Sequence, residues 1–170
     1  MTPAKRLIMM GFVQAKNELV YTPATWAEWS GIGASFGTSV VDNYLVVENE
    51  DATSAANLLL DCNFKPNTKY GMLIHIRFNT RGANTFVSVK ADDYPFENRF
   101  RIPAYETGNF KHVSATKAEF SMNMMYIWVG ISAGKVELGK YRVFELPAGS
   151  QIEWDFENLG ADQLDAKYPF

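Results

Sequence analysis

Cysteine is nearly absent from this chain. Cys62 stands alone among 170 residues, which excludes an intramolecular disulfide and any multi-cysteine metal site. Its setting, NLLLDCNF, places it on one strand face with Leu58, Leu60 and Phe64, the position of a buried, inert thiol. Long apolar runs are missing too. Leu7 to Val13 follows a basic start, but it falls far short of the roughly 20 residues of a membrane span. No small-x-small cleavage site follows it, so the expectation is a soluble, unsecreted chain that binds no membrane. A basic excess is also lacking: 16 Lys and Arg face 19 Asp and Glu, for a net charge of −3. That balance gives no support to nucleic-acid binding, although Arg77, Arg81, Arg99, Arg101 and Lys111 fall in one part of the chain.

Catalytic motifs are scarce in the same way. There is no GxSxG, HExxH or P-loop, and there are only two histidines. His75 shares a strand face with Arg77, and His112 reads as part of a loop-like segment; neither neighbours a Ser or Cys in a nucleophile context. Acidic pairs occur at Glu48/Glu50, Asp92-Asp93 and Glu153/Asp155. Glycoside hydrolysis needs two carboxyls facing each other across a cleft at roughly 5–10 Å, which adjacency does not supply. Asp92-Asp93 with Asn98 lacks EF-hand spacing and reads as an acidic turn. The expectation is a protein that is not an enzyme and holds no cofactor, catalytic residue or metal.

What the chain does have is aromatic residues, 14 % of the total, and short alternating runs between Gly, Pro, Asn and Asp clusters. Both features favour strands. SVVDNYLVVENE (39–50) reads as one strand and NLLLDCNF (57–64) as another. GMLIHIRFNT (71–80) reads as a third, with Met72, Ile74, Ile76 and Phe78 inward. TFVSVKADD follows the RGAN turn, and a short edge strand is expected at NRFRIP. AEFSMNMMYIWVGIS (118–132) reads as a long strand with KVELGKYRVFEL (135–146) as its hairpin-like partner. LGADQLDAK is the one candidate helix. Strands without helical crossovers predict an all-β fold: a jelly-roll-like, two-sheet antiparallel sandwich with extended terminal segments. The division predicted is an N-terminal arm or first strand with an entry loop over 1–35, a β-sandwich over 36–154, and a connecting or docking tail over 155–170.

Three stretches carry a family resemblance. FKPNTKYGMLIHIRF, MYIWVGIS…GKVELGKYRVFEL and LPAGSQIEWDFENL resemble the turn-and-strand pattern of carbohydrate-binding-like β-sandwich modules found in phage tail, baseplate and other virion structural proteins. The resemblance covers roughly residues 40–154. It implies a jelly roll in which Trp154 plugs the closing end. It also implies a non-enzymatic virion structural protein of a tail, baseplate or capsid decoration, assembled in the host cytoplasm and contacting other virion proteins. A contact with host-surface glycans stays open on this reading.

The residues themselves add two candidate surfaces. Sugar rings stack on exposed aromatics because their CH faces are apolar while their edges still hydrogen-bond. Trp26 and Trp29 in TWAEWSG, and Tyr94, Arg99, Arg101 and Tyr105 in the Pro-broken region, are the ligand-binding candidates. Trp128 alternates with Ile127 and Val129 and is assigned to the core or an interface. Met9, Met10, Phe12, Tyr168 and Phe170 lie near the ends, where apolar side chains suggest docking on a partner and a homo-oligomer. The alternatives to the virion reading are a stand-alone glycan-binding module and, more distantly, a small hydrolase.

Overall fold

The computed structural model describes residues 37–50, 55–88 and 93–169, together with the backbone of a short strand, β1 (Leu19–Tyr21). The strands that follow are β2 (Thr38–Val41), β3 (Tyr44–Asn49), β4 (Ala56–Asp61), β5 (Lys69–Asn79) and β6 (Thr85–Ser88). Then come β7 (Phe100–Ile102), β8 (Gly108–Ala115), β9 (Met124–Val129) and β10 (Gly134–Glu145). Two helices close the chain, α1 (Gln151–Asn158) and α2 (Ala161–Lys167). The larger sheet runs β2-β3-β10-β5-β8, with β1 beside the far half of β10; the smaller runs β4-β9-β6-β7. All pairings are antiparallel, and the two-sheet sandwich expected from the alternation is the fold.

Period-two alternation builds the core. Met72, Ile74 and Ile76 of β5 and Val136 and Leu138 of β10 face Leu58, Val87, Ile102 and Ile127 of the smaller sheet, and all are fully buried. The Tyr141 hydroxyl crosses this layer to the Val87 carbonyl at 3.3 Å, so this polar tip has a partner. Buried Arg81 donates from Nη1 to the Gly134 carbonyl at 3.1 Å and from Nη2 to the Gly130 carbonyl at 2.5 Å. It thereby clamps the crossover from β9 in one sheet to β10 in the other.

Several sequence expectations need correction. The run 39–50 is a two-residue hairpin: Asp42 (φ 51°) and Asn43 (φ 62°) both take the left-handed conformation that tight hairpin turns require. Phe78 does not point inward but is 44 % exposed. A register shift between β5 and β10 at Glu137/Leu138 sets Arg77 and Phe78 together on the outer face. The segment 118–132 is strand only over β9, and β9 and β10 belong to different sheets, so they form no hairpin. His112 lies within β8, opposite Met72. Its ring stacks on Phe100 (centroids 5.1 Å apart) at the sandwich edge, and its Nε2 is buried without a protein partner.

The C-terminal segment also differs from expectation. Ser150 caps α1, accepting from the Glu153 N–H at 3.2 Å, while the Glu153 carboxylate accepts from the Gly149 N–H at 2.7 Å. This S-x-x-E signal was present in SQIE and marks a helix where the sequence pattern suggests only a closing turn. An eight-residue helix is marginal alone. Here Ile152, Phe156 and Leu164 form a second core with Leu73, Phe144 and Leu146 on the outer face of the larger sheet. Lys111 Nζ donates to the Phe156 (2.8 Å) and Leu159 (2.5 Å) carbonyls, placing a cation at the C-terminal end of α1. Lys69 pairs with Glu153 (2.8 Å) and Glu157 (2.5 Å), and buried Arg142 with Asp165 (2.5 Å). The boundary drawn at 154/155 thus falls inside α1, and Trp154 is no plug: it is 54 % exposed on the helix surface. Tyr168 packs on Phe144 and bonds to Asp155 within this chain. Met9, Met10, Phe12 and Phe170 lie outside the described residues.

Two tests follow from this packing. Gly71 on β5 leaves room for the Phe156 ring, whose Cε1 would sit 2.6 Å from an added Cβ. Gly71→Val is expected to lift α1 from the sheet and cost about 1–3 kcal/mol in chemical unfolding; an unchanged midpoint would mean that the helices contribute nothing to global stability. The second test concerns pH. Burial pushes both His112 and His75 below the ordinary imidazole range. The native state then binds fewer protons than the unfolded chain below pH about 6.5, so stability falls as pH falls through that value. The carboxylates held low, Glu137 by Lys135 and Glu153 by Lys69, withdraw stability only at more acid pH. Melting temperature is expected to drop between pH 7 and 5 in the native protein and to flatten in the His75→Gln/His112→Gln double variant. An equal slope in both proteins would refute the assignment.

Candidate functional site

The sandwich has two outer faces, and they differ in what covers them. On the larger sheet one half carries α1 and α2, and the other half is self-neutralised. Glu137 there bridges Arg77 (2.5 Å) and Lys135 (2.7 Å), and the Arg77 guanidinium covers the Tyr44 ring at 4.1 Å. The Tyr44 hydroxyl lies 2.8 Å from His75 Nδ1, so both the ring face and the imidazole are already engaged. A shallow hollow of about 580 Å³ beside Phe78, Thr80 and Lys135 completes this side.

On the smaller sheet no described helix or strand covers the outer face. Pairing register sets Asn57, Trp128, Phe86 and Arg101 in one row across four strands, because Asn57 and Phe86 both flank Trp128 and Arg101 flanks Phe86. The next row begins with Leu59 and Tyr126. Trp128 and Phe86 meet at 5.5 Å between centroids with planes tilted by 35°, and Tyr94 stacks on Tyr126 at 5.3 Å and 28°. The Arg99 guanidinium lies 5.6 Å from the Phe86 ring centre. Together Phe86, Arg99, Tyr126 and Trp128 line a hollow of about 270 Å³. The Tyr126 hydroxyl is 2.5 Å from Asn57 Oδ1, which locks that ring, and burial raises its pKa. The platform is therefore rigid, apolar across its centre and polar at its rim.

Of the residues singled out from sequence, the structure brings Tyr94, Arg99 and Arg101 to this face. Phe100 and Ile102 take the core positions of β7, so Arg99 and Arg101 must point outward. Tyr105 is apart, 68 % exposed in the loop between β7 and β8 with its hydroxyl against Gly82. Trp26 and Trp29 lie outside the described residues. Trp128 is not in the core, which Ile127 and Val129 fill; it is half-buried on the outer face. The signal that could have found it is the alternation itself, since Tyr126 and Trp128 must share whichever face Met125 and Ile127 do not. Phe86 had no such signal, because its place beside Trp128 depends on pairing between distant strands.

No family model and no curated sequence matches the chain. Among solved structures it is similar to "Family 16 Carbohydrate Binding Module-2", with a TM-score of 0.52 and 15 % identity over 65 % of this chain and 87 % of that one. "CBM4 structure and function" matches at a TM-score of 0.47 and 11 % identity, over 64 % of this chain and 75 % of the other. The enzymatically active domain of tailspike protein 4 of bacteriophage CBA120 matches at 0.44 and 12 %, over 61 % of this chain but 15 % of the tailspike. The fold is that of a carbohydrate-binding-module-like β-sandwich. At such identities the likeness concerns the fold alone.

The site arginines carry little of the fold's stability, as exposed groups without a carboxylate partner among the described residues. Arg99→Ala and Arg101→Ala are each expected to shift unfolding free energy by no more than about 0.5 kcal/mol in urea titrations. A loss several times larger would make them structural.

Proposed function

We propose that this chain is a non-catalytic glycan-binding module whose site is the aromatic platform of the smaller sheet. The observation that carries the reading is the row Trp128–Phe86 with Tyr126 and Tyr94 beside it, set on a face of the carbohydrate-binding-module-like sandwich that no described helix or strand covers. A pyranose ring laid on Trp128 would bury its apolar CH face while its hydroxyls reach Asn57 and Arg99 at the rim. The side chains sit on strands, so little ordering is needed when a ligand arrives. A binding role is supported over catalysis by the state of the two histidines. One is engaged by Tyr44, and the other is wedged against Phe100 away from the platform. The setting we infer is a virion component, such as a tail, baseplate or capsid decoration, that meets a cell-surface polysaccharide. It rests on the sequence resemblance of residues 40–154 to phage modules.

The test is a glycan array followed by calorimetry. Trp128→Ala is expected to weaken binding at least tenfold, about 1.4 kcal/mol, while keeping a native melting curve. Trp154→Ala, which removes the exposed tryptophan of α1, should bind as the native protein does. Loss of binding in Trp154→Ala, Trp26→Ala or Trp29→Ala with retention in Trp128→Ala would move the site elsewhere.

A further inference from the structure

Charge on the described surface is unevenly settled. Lys65, Lys69, Arg77, Lys135, Arg142 and Lys167 are each ion-paired. Arg81 and Lys111 are taken up by backbone carbonyls. Arg99 and Arg101 stand outside this pattern, as does Lys140 of β10, which has no ion pair among the described residues. The two arginines lie two residues apart, Arg101 in edge strand β7 and Arg99 just before it, both exposed, and neither meets a carboxylate of a described residue. Of the described carboxylates, Glu97 is nearest in sequence, exposed two residues before Arg99 and in no ion pair among the described residues; the others are distant in register. Asp61 stands on β4, at the opposite edge of the sheet, four pairs along from the Asn57–Trp128 row. Asp93 lies beyond Tyr94 and accepts from the Ser121 hydroxyl at 3.0 Å. In a chain of net charge −3, a pair of guanidiniums without an ion-pair partner among the described residues, at one rim of an aromatic surface, is a local reversal of sign.

Two properties of this arrangement restrict the ligand. Arginine presents a planar fork of donors that matches a carboxylate bidentately, with a geometry that a hydroxyl cannot reproduce. The Arg99 guanidinium is also held near the Phe86 ring, which leaves its charge available while limiting its motion. We infer that the platform selects acidic glycans, taking a uronate-type sugar with its ring face on Trp128 and its carboxylate toward Arg99 and Arg101. This rests on the glycan-binding reading above and narrows it to a substrate class. Phe86, between Trp128 and the arginines, sets the spacing: its strand neighbours are Trp128 on one side and Arg101 on the other.

The test uses oligomers of galacturonate, mannuronate and glucuronate-containing hyaluronan, each beside its carboxyl-reduced neutral counterpart, which keeps the sugar skeleton and removes the charge. Dextran sulfate serves as a polyanion without uronate. The native protein is expected to bind at least one acidic oligomer tenfold or more tightly than its reduced form. Arg99→Gln and Arg101→Gln should each cost that preference, Arg99→Lys should restore it only in part, and Trp128→Ala should abolish binding of both forms. If acidic and reduced oligomers bind equally and the Arg→Gln variants match the native protein while Trp128→Ala fails, the acidic preference is wrong and the glycan site stands. If dextran sulfate competes as well as the uronates and Trp128→Ala still binds, the arginines act as a simple ion exchanger and the inference falls. If no oligomer of either kind binds the folded protein, this inference and the glycan reading fail together.

Discussion

Strand β10 is the constraint on which the rest of the structure depends. It pairs with β5 along one edge and with β3 and then β1 along the other, so it holds the middle of the larger sheet. One of its faces supplies Val136, Leu138, Tyr141 and Val143 to the sandwich core. Its other face supplies Phe144 to the helix-covered core and Arg142 to the ion pair that fixes α2. A strand buried on both faces leaves little freedom in register, because a one-residue slip would exchange Leu138 for Glu137 and Val143 for Arg142. The irregularities near Glu137 and between Gly139 and Arg142 are where the strand reconciles these two sets of demands.

That central strand also explains why the two outer faces differ. The larger sheet ends in a chain that turns back over it, so its outer face is occupied by α1 and α2 or neutralised by the Arg77–Glu137–Lys135 cluster. The smaller sheet has no such continuation among the described residues. Its outward positions there include Phe86 of β6 and Tyr126 and Trp128 of β9, and an aromatic face that no described helix or strand covers needs a reason when polar side chains would be more soluble there. Recognition of a ligand with apolar faces and polar edges supplies that reason.

Electrostatics follow the same division. Around the helices, burial opposes ionisation of Asp155, yet Lys167, Tyr168 and Gln151 outweigh it and hold the carboxyl below its ordinary range. These pairs bind the chain to itself. At β7 the cations face outward, and with modest energies per exposed pair they are better suited to choosing a ligand than to holding the fold.

The sequence by itself determined the fold class and much of the core. Alternation over Met72, Ile74 and Ile76 of β5 and over Met125, Ile127 and Val129 of β9 gives each sheet an apolar inner face, and two such faces must meet. The alternation in NRFRIP also held the outward direction of Arg99 and Arg101, opposite Phe100 and Ile102, and SQIE held the start of α1 in plain chemistry. Only the tertiary structure decided the rest. The outward turn of Phe78 follows from a register shift with a strand some sixty residues away, and no local pattern records it. The coverage of the larger sheet by α1 depends on space above Gly71, and the exposure of Trp154 depends on which helix face meets that space. The platform itself joins β4, β9, β6 and β7, out of chain order. A side chain's own strand fixes whether it faces in or out, but which other side chains stand beside it is set by long-range pairing, and that pairing made a site of Trp128.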